Sequence, residues 1–140
     1  MRKINIFTDG SSKGNPGPSG AAAILLTDGF PRKILARPLG IKTNNQAELA
    51  AVWMALNALK NPAKCIIHLF TDSQLIKGFL VDNWKPKTNL KLVSEIRGLA
   101  KTLGGLEVIK VTGHSGVELN ELADQLARKE ADESAKVEEK

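Results

Sequence analysis

FTDGSSKGNPGPSG, residues 7–20, is the stretch on which the reading of the fold turns. It leads from the apolar segment INIF into an acid, Asp9, and then into a loop crowded with glycine, proline and serine. Two readings are open at Asp9. Asp-Gly behind a strand is a common hairpin signal, because both residues tolerate the positive φ of a tight turn. Alternatively, Asp9 is one of a set of carboxylates gathered at a sheet edge. What the rest of the chain places beside it decides between them.

Working outward, KINIFTDG reads as a strand ending at Asp9, and AAAILLT (residues 21–27) as a second. KILARPLG (33–40) reads as a third strand ending near Pro38, with Asp28-Gly29 as the hairpin between the last two. AELAAVWMALNAL (47–59) has helical spacing, with Leu49, Val52, Trp53, Leu56 and Leu59 on one face and Pro62 just beyond. CIIHLF (65–70) is a continuous apolar run, as expected of a strand buried on both faces, and its His68 reads as structural. SQLIKGFLVDNW (73–84) and LKLVSEIRGLAKTL (90–103) read as helices, the second stopped by Gly104 and Gly105. LEVIKVTG (106–113) is a strand and ELNELADQLARKEA (118–131) a last helix. Strands first, then helices alternating with strands, indicate an α/β fold with a mixed sheet and helices on its faces. Residues 1–131 are expected to form one domain, and the charged tail DESAKVEEK (132–140) is expected to fray.

The totals narrow the class. A chain of 140 residues suffices for one domain with a real core, and no apolar run approaches the ~18 residues a membrane span needs. The N-terminus lacks the apolar stretch of a secretory signal, and the single cysteine, Cys65, has no partner for a disulfide. Both suit a cytoplasmic, reduced setting. The net charge of +5 is uneven: residues 118–140 hold eight acids against four bases, leaving +9 on the preceding 117 residues. Seven bases against three acids fall between positions 77 and 110. Such a body suits a polyanionic partner, since phosphate neutralisation releases counterions. Plain solubilising charge gives the same counts.

Four acids stand in comparable places. Asp9 ends the first strand, Asp72 ends CIIHLFTD, Glu48 lies in the first turn of the long helix and Asp124 in the last helix. In open α/β sheets, ligands gather just outside the strand ends. At about 100° per residue, Glu48 falls about 20° outside the apolar arc of its helix and Asp124 about 60° beyond Ala127. Both border a buried face, where a carboxylate is costly unless something positive meets it. Each acid also has a local explanation. Asn45-x-x-Glu48 has the form of a capping box, Asp72 or Ser73 can cap the next helix, and Asp124 can pair with Arg128 at i+4. Taken jointly, four acids on one strand edge repel one another, and a hard divalent cation resolves the conflict. Four carboxylates suit two Mg²⁺ ions about 3.5–4 Å apart, an arrangement that serves phosphodiester hydrolysis.

With TDGSSKGNPGPSG, TNNQAEL, TDSQ and VTGHSGVELNELADQLA in that order from Thr8 to Ala127, the sequence resembles type 1 ribonuclease H. The resemblance implies a five-stranded mixed sheet, three antiparallel strands followed by two parallel ones, with helices on both faces. It implies endonucleolytic cleavage of the RNA strand of RNA–DNA hybrids without sequence specificity. Carried over by position, Asp9, Glu48, Asp72 and Asp124 hold two Mg²⁺, with Mn²⁺ as substitute, and cleavage leaves 5′-phosphate and 3′-hydroxyl ends. His114, in the loop GHSG, matches a histidine that assists proton movement or product release, which suits an imidazole near neutral pH.

Telling RNA from DNA requires reading the 2′-hydroxyl with neutral groups and close backbone approach. Asn15, Asn44, Asn45, Gln46, Ser73 and Gln74 offer the former, and Gly10, Ser11 and Ser12 the latter. By resemblance, Asn15, Asn44, Asn45 and Gln74 touch the RNA strand, while Thr43 and Asn89 hold a phosphate of the DNA strand. Many relatives carry a longer basic protrusion where this chain has NWKPKTNLKLVSE, about ten residues shorter. Trp84, Lys85 and Lys87 remain as a DNA-strand contact, an aromatic among bases. Ile41 stands where the family often has a basic residue. A hybrid-binding module without cleavage, and the core of a transposase or integrase, are the competing classes. Complete carboxylates argue against the first, and the absence of a companion DNA-binding region argues against the second. The expected protein is a monomer.

Overall fold

The computed structural model describes residues 1–112 and 118–138. Its centre is one five-stranded sheet with spatial order β3-β2-β1-β4-β5. β1 (Arg2–Ser12), β2 (Gly17–Thr27) and β3 (Lys33–Lys42) form an antiparallel meander. β4 (Cys65–Thr71) joins β1 in parallel, and β5 (Gly105–Lys110) joins β4 in parallel. The expected three-then-two mixed sheet is the one observed.

Helices cover both faces. Ile4 and Ile6 of β1, Ala23 and Leu25 of β2, and Ile67 and Leu69 of β4 pack against α1 (Asn44–Asn57), α2 (Gln74–Leu80) and α3 (Leu90–Lys101). The opposite face carries a second cluster, in which Phe7 and Ile24 meet Ala123 of α4 (Glu118–Glu138). Phe7 also stacks on its β4 neighbour Phe70, with ring centroids 4.5 Å apart and planes within 10°. The alternation of strand side chains between faces produces these two cores from one strand set.

Five local expectations change. β1 does not end at Asp9 but pairs with β2 through Ser12↔Ser19, so Asp9-Gly10 is strand and not a turn. β3 runs past Pro38 to Lys42, which an edge strand permits, and a register shift at Ser19/Gly20 accommodates the proline. β4 is buried on one face only: Ile66 is 37% exposed and His68 half-buried. α4 lies over β2, β1 and β3, leaving β4 and β5 largely uncovered on that side. α2 stops at Leu80, so Trp84 lies in the following non-helical segment. Finally, the segment expected to fray is helical from Asp132 to Glu138.

That last turn of α4 is anchored by polar contacts invisible to composition. Asp132 pairs with Lys13. The buried Ser134 Oγ donates to Ser19 O at 2.6 Å and accepts from the N–H groups of Leu39 and Gly40, each at 3.1 Å. One hydroxyl thus ties the helix to β2 and β3. Ser134→Ala leaves the buried Ser19 carbonyl and the two part-buried N–H groups without this partner and is expected to cost about 1–3 kcal/mol. Urea denaturation measures this, and a midpoint equal to that of the parent would show that the hydroxyl contributes nothing.

Candidate active site

Asp9 owes its position to strand register. The β1–β4 pairing ends at Phe7↔Phe70, so Asp9 projects just past the last β4 contact while β2 still supports it through Ala22. Asp72 follows the last residue of β4 directly. Glu48 arrives from α1, whose backbone passes against Gly10: a Cβ there would lie 2.3 Å from the Ala47 carbonyl carbon and 2.4 Å from Glu48 N. Absence of a side chain at position 10 therefore sets how closely α1 approaches the strand.

The local alternatives for these acids are also decided. The capping box of α1 is Thr43 with Gln46: Thr43 Oγ1 accepts from Gln46 N at 3.1 Å, and Gln46 Oε1 accepts from Thr43 N at 2.9 Å. Glu48 therefore has no capping role. Ser73 Oγ, accepting from Ile76 N at 3.3 Å, caps α2, so Asp72 is released as well. Asp124 does pair with Arg128, at 3.2 Å and with 30% of its side chain exposed.

Carboxylate oxygens of Asp9, Glu48 and Asp72 lie within 4.8 Å of one another. Asp9 is 5% and Glu48 9% exposed. Among the described residues none of the three has an ion-pair partner. Burial, then the charge of Asp72 and contact with Asp124, pushes the Asp9 carboxyl up to about 8, opposed by the Gly10 N–H at 2.9 Å. Burial and the charges of Asp9 and Asp72 raise Glu48 well above its ordinary value. Asp124 thus belongs to the electrostatic neighbourhood of Asp9 but stands outside the close triad. An all-oxygen, uncompensated donor set of this kind fits a hard divalent cation.

The neutral residues assemble around the starts of two helices. Asn15 Oδ1 accepts from Asn44 N at 2.9 Å, joining the first loop to α1, where Asn44 and Asn45 are exposed. Ser12 Oγ is occupied by the carbonyls of Gly14 and, at 3.1 Å, Lys42, while Ser11 is half-buried in the strand. Gln74 is the exposed first residue of α2, directly after Ser73. Thr43 and Gln46 are committed through their oxygens to the cap, and Ser73 likewise.

Beside them lies a groove of about 380 Å³ that brings Trp84, Lys85, Lys87 and Asn89 together with Asn45. Its remaining lining is Leu75, Phe79 and Thr88, which no motif in the sequence marks. The i, i+4 spacing of Leu75 and Phe79 behind Gln74 reads equally as a core stripe. His114 lies outside the described residues.

The sequence model of the RNase H family matches residues 1–132. A ribonuclease H of Agrobacterium fabrum is 40% identical over 92% of this chain and 94% of its own length. The N-terminal RNase H domain of a Mycobacterium tuberculosis protein superposes with a TM-score of 0.84 at 28% identity, over 98% of this chain and 99% of that one. RNase H1 of Halobacterium salinarum gives 0.78 at 28% identity, over 94% and 98%.

Proposed function

The chain belongs to the RNase H family, as a type 1 ribonuclease H and a hybrid-specific endoribonuclease, and from that premise we propose that it hydrolyses the RNA strand of RNA–DNA hybrids at Asp9, Glu48, Asp72 and Asp124 with two Mg²⁺ ions. The observation that carries this reading is the triad Asp9–Glu48–Asp72, two of its carboxylates buried and none of the three ion-paired among the described residues. Such ions, with Mn²⁺ as substitute, supply neutralisation of the attacking and departing oxygens in an in-line displacement that leaves 5′-phosphate and 3′-hydroxyl ends.

The protein's residues do the rest. Asp9 and Glu48, held by β1 and α1, fix the position of the reacting phosphate relative to the sheet edge. Asn15, Asn44, Asn45 and Gln74, with the main chain at Gly10–Ser12, face the RNA strand and read its 2′-hydroxyls. Gln46 and Ser73 contribute by holding the two helix starts. Thr43, Asn89, Trp84, Lys85 and Lys87 meet the DNA strand, the lysines through phosphate charge and Trp84 through stacking. None of these contacts selects a base, so cleavage lacks sequence specificity. His114 moves protons or aids product release. The working unit is a cytoplasmic monomer whose single domain takes in α4.

End-labelled RNA–DNA hybrid, single-stranded RNA, duplex RNA and duplex DNA, each with Mg²⁺, Mn²⁺ or EDTA, provide the test. Metal-dependent cutting of only the RNA in the hybrid, with ends that a polymerase extends, is the expected result. Bound but uncut hybrid under every metal would instead establish a binding module.

A further inference from the structure

The groove beside α2 takes five of its lining residues, Trp84, Lys85, Lys87, Thr88 and Asn89, from one stretch between α2 and α3. Residues 81–89 have only turns and bends, no helix or strand. Their order comes from outside. The Trp84 N–H donates to Gly78 O at 3.0 Å, and its ring lies so close to Gly78 that a Cβ there would sit 2.1 Å from a ring carbon. From the other side, α3 sends Arg97. Its Nε donates to Phe79 O at 3.1 Å near the end of α2, and its Nη2 donates to Trp84 O. The same guanidinium lies 5.7 Å from the Phe79 ring centroid, and Phe79 meets the Trp84 ring edge-on at 6.5 Å. Among the described residues, this is the one side-chain hydrogen bond made to the main chain of 81–89.

We propose that Arg97 is a positioning residue for the DNA strand: by bridging the carbonyls of Phe79 and Trp84 it pins the 81–89 segment, and with it Lys85, Lys87 and Asn89, in the shape that receives the phosphates. The proposal rests on the hybrid-binding reading above. A loose segment would lose backbone freedom at every residue fixed on binding, and a pinned one has already lost it. The fork geometry of arginine is what the task requires, because one planar group spans two carbonyls while a lysine ammonium is a single point. Placement at a helix C-terminus suits its charge. Arg97 itself is spent on these contacts, so it acts through the segment.

Hybrid affinity is measured in an Asp9→Asn background, so that nothing is cut, and KM and kcat in the active protein. Arg97→Ala is expected to raise Kd and KM by about 5–20-fold with little change in kcat. Arg97→Lys is expected to recover only part. In a Trp53→Phe background, acrylamide quenching of Trp84 rises. Combined with Lys85→Ala and Lys87→Ala, the loss from Arg97→Ala is smaller than the sum, because both changes disable one seat. Should Arg97→Ala fail to unfold cooperatively, Arg97→Gln takes its place. Unchanged affinity alongside a loosened Trp84 overturns the proposal, as does full additivity with the lysines, which would make Arg97 an independent contact. A parent protein that does not prefer hybrid over duplex DNA defeats the underlying reading, a result separate from either of these.

Discussion

Asp9→Asn is expected to lower metal-dependent cleavage about a thousandfold or more while making the metal-free protein more stable. The loss follows from removing one of three oxygen donors that lie within 4.8 Å of one another, at a site where charge neutralisation is the main catalytic resource. The gain follows from the same crowding. Burial and the charges of Asp72 and Asp124 raise Asp9 from 3.8 to about 8. A carboxyl whose pKa is raised on folding favours the folded state while protonated, and that contribution fades as pH climbs toward the folded value. Without metal, the parent should therefore lose stability between about pH 4 and 8, and flatten above it, through Asp9. An asparagine carries no such charge. At pH 8 the variant should exceed the metal-free parent by roughly 1–3 kcal/mol, with a shallower dependence on pH. Added Mg²⁺ should stabilise the parent and leave the variant nearly unmoved, because binding to the folded state alone shifts unfolding by mass action. Thermal melts at several pH values with EDTA or Mg²⁺, beside single-turnover cleavage, measure all of this. Turnover equal to that of the parent would remove Asp9 from the metal site, and an unchanged melt at pH 8 would show that its charge is already offset.

Gly10→Ala should have the largest effect on folding. A methyl group there would stand 2.3 Å from the Ala47 carbonyl carbon and 2.6 Å from its oxygen. These are backbone atoms of a helix packed on the sheet, so no rotamer change relieves the overlap. Either α1 moves away or β1 bends, and both open the core around Ile6, Leu49 and Val52. The expected cost exceeds about 3 kcal/mol, beyond ordinary overpacking. Whatever folded population remains should bind Mg²⁺ poorly, since the displaced helix carries Glu48. Urea denaturation with calorimetric titration of Mg²⁺ separates the two effects. A stable variant with normal metal affinity would mean that α1 is not seated by this contact.

Much of the architecture was legible because its signals are local. Period-two and period-3.6 patterning placed each β-strand and α-helix near its observed position, though not the short 3-10 helix Pro62–Lys64, and the Asp28-Gly29 turn follows from the left-handed conformation at Gly29, φ 82°. Local signals also misled where two were chemically interchangeable. Thr43 and Asn45 both suit an N-cap, and only the folded chain, in which Thr43 exchanges hydrogen bonds with Gln46, makes Thr43 the cap and leaves Glu48 free. Residues 132–138 look like a solvated tail, yet they stay helical through Ser134, whose partners lie 94 to 115 positions away. Nothing in the neighbourhood of Ser134 announces those contacts. Asp9-Gly10 has turn chemistry, but pairing with Ala22 and Ala21 overrides it.

The sequence by itself determined which acids are present, the order of the elements carrying them, and the family to which the chain belongs, because composition and short motifs encode these within a few residues. Only the tertiary structure decided that Asp9, Glu48 and Asp72 share one site while Asp124 stands beside it on Arg128, and that Arg97 reaches back to hold Trp84. Those outcomes depend on strand register, on how closely a helix can approach a glycine, and on competition among distant donors for the same oxygen. Each is settled by the packed chain as a whole.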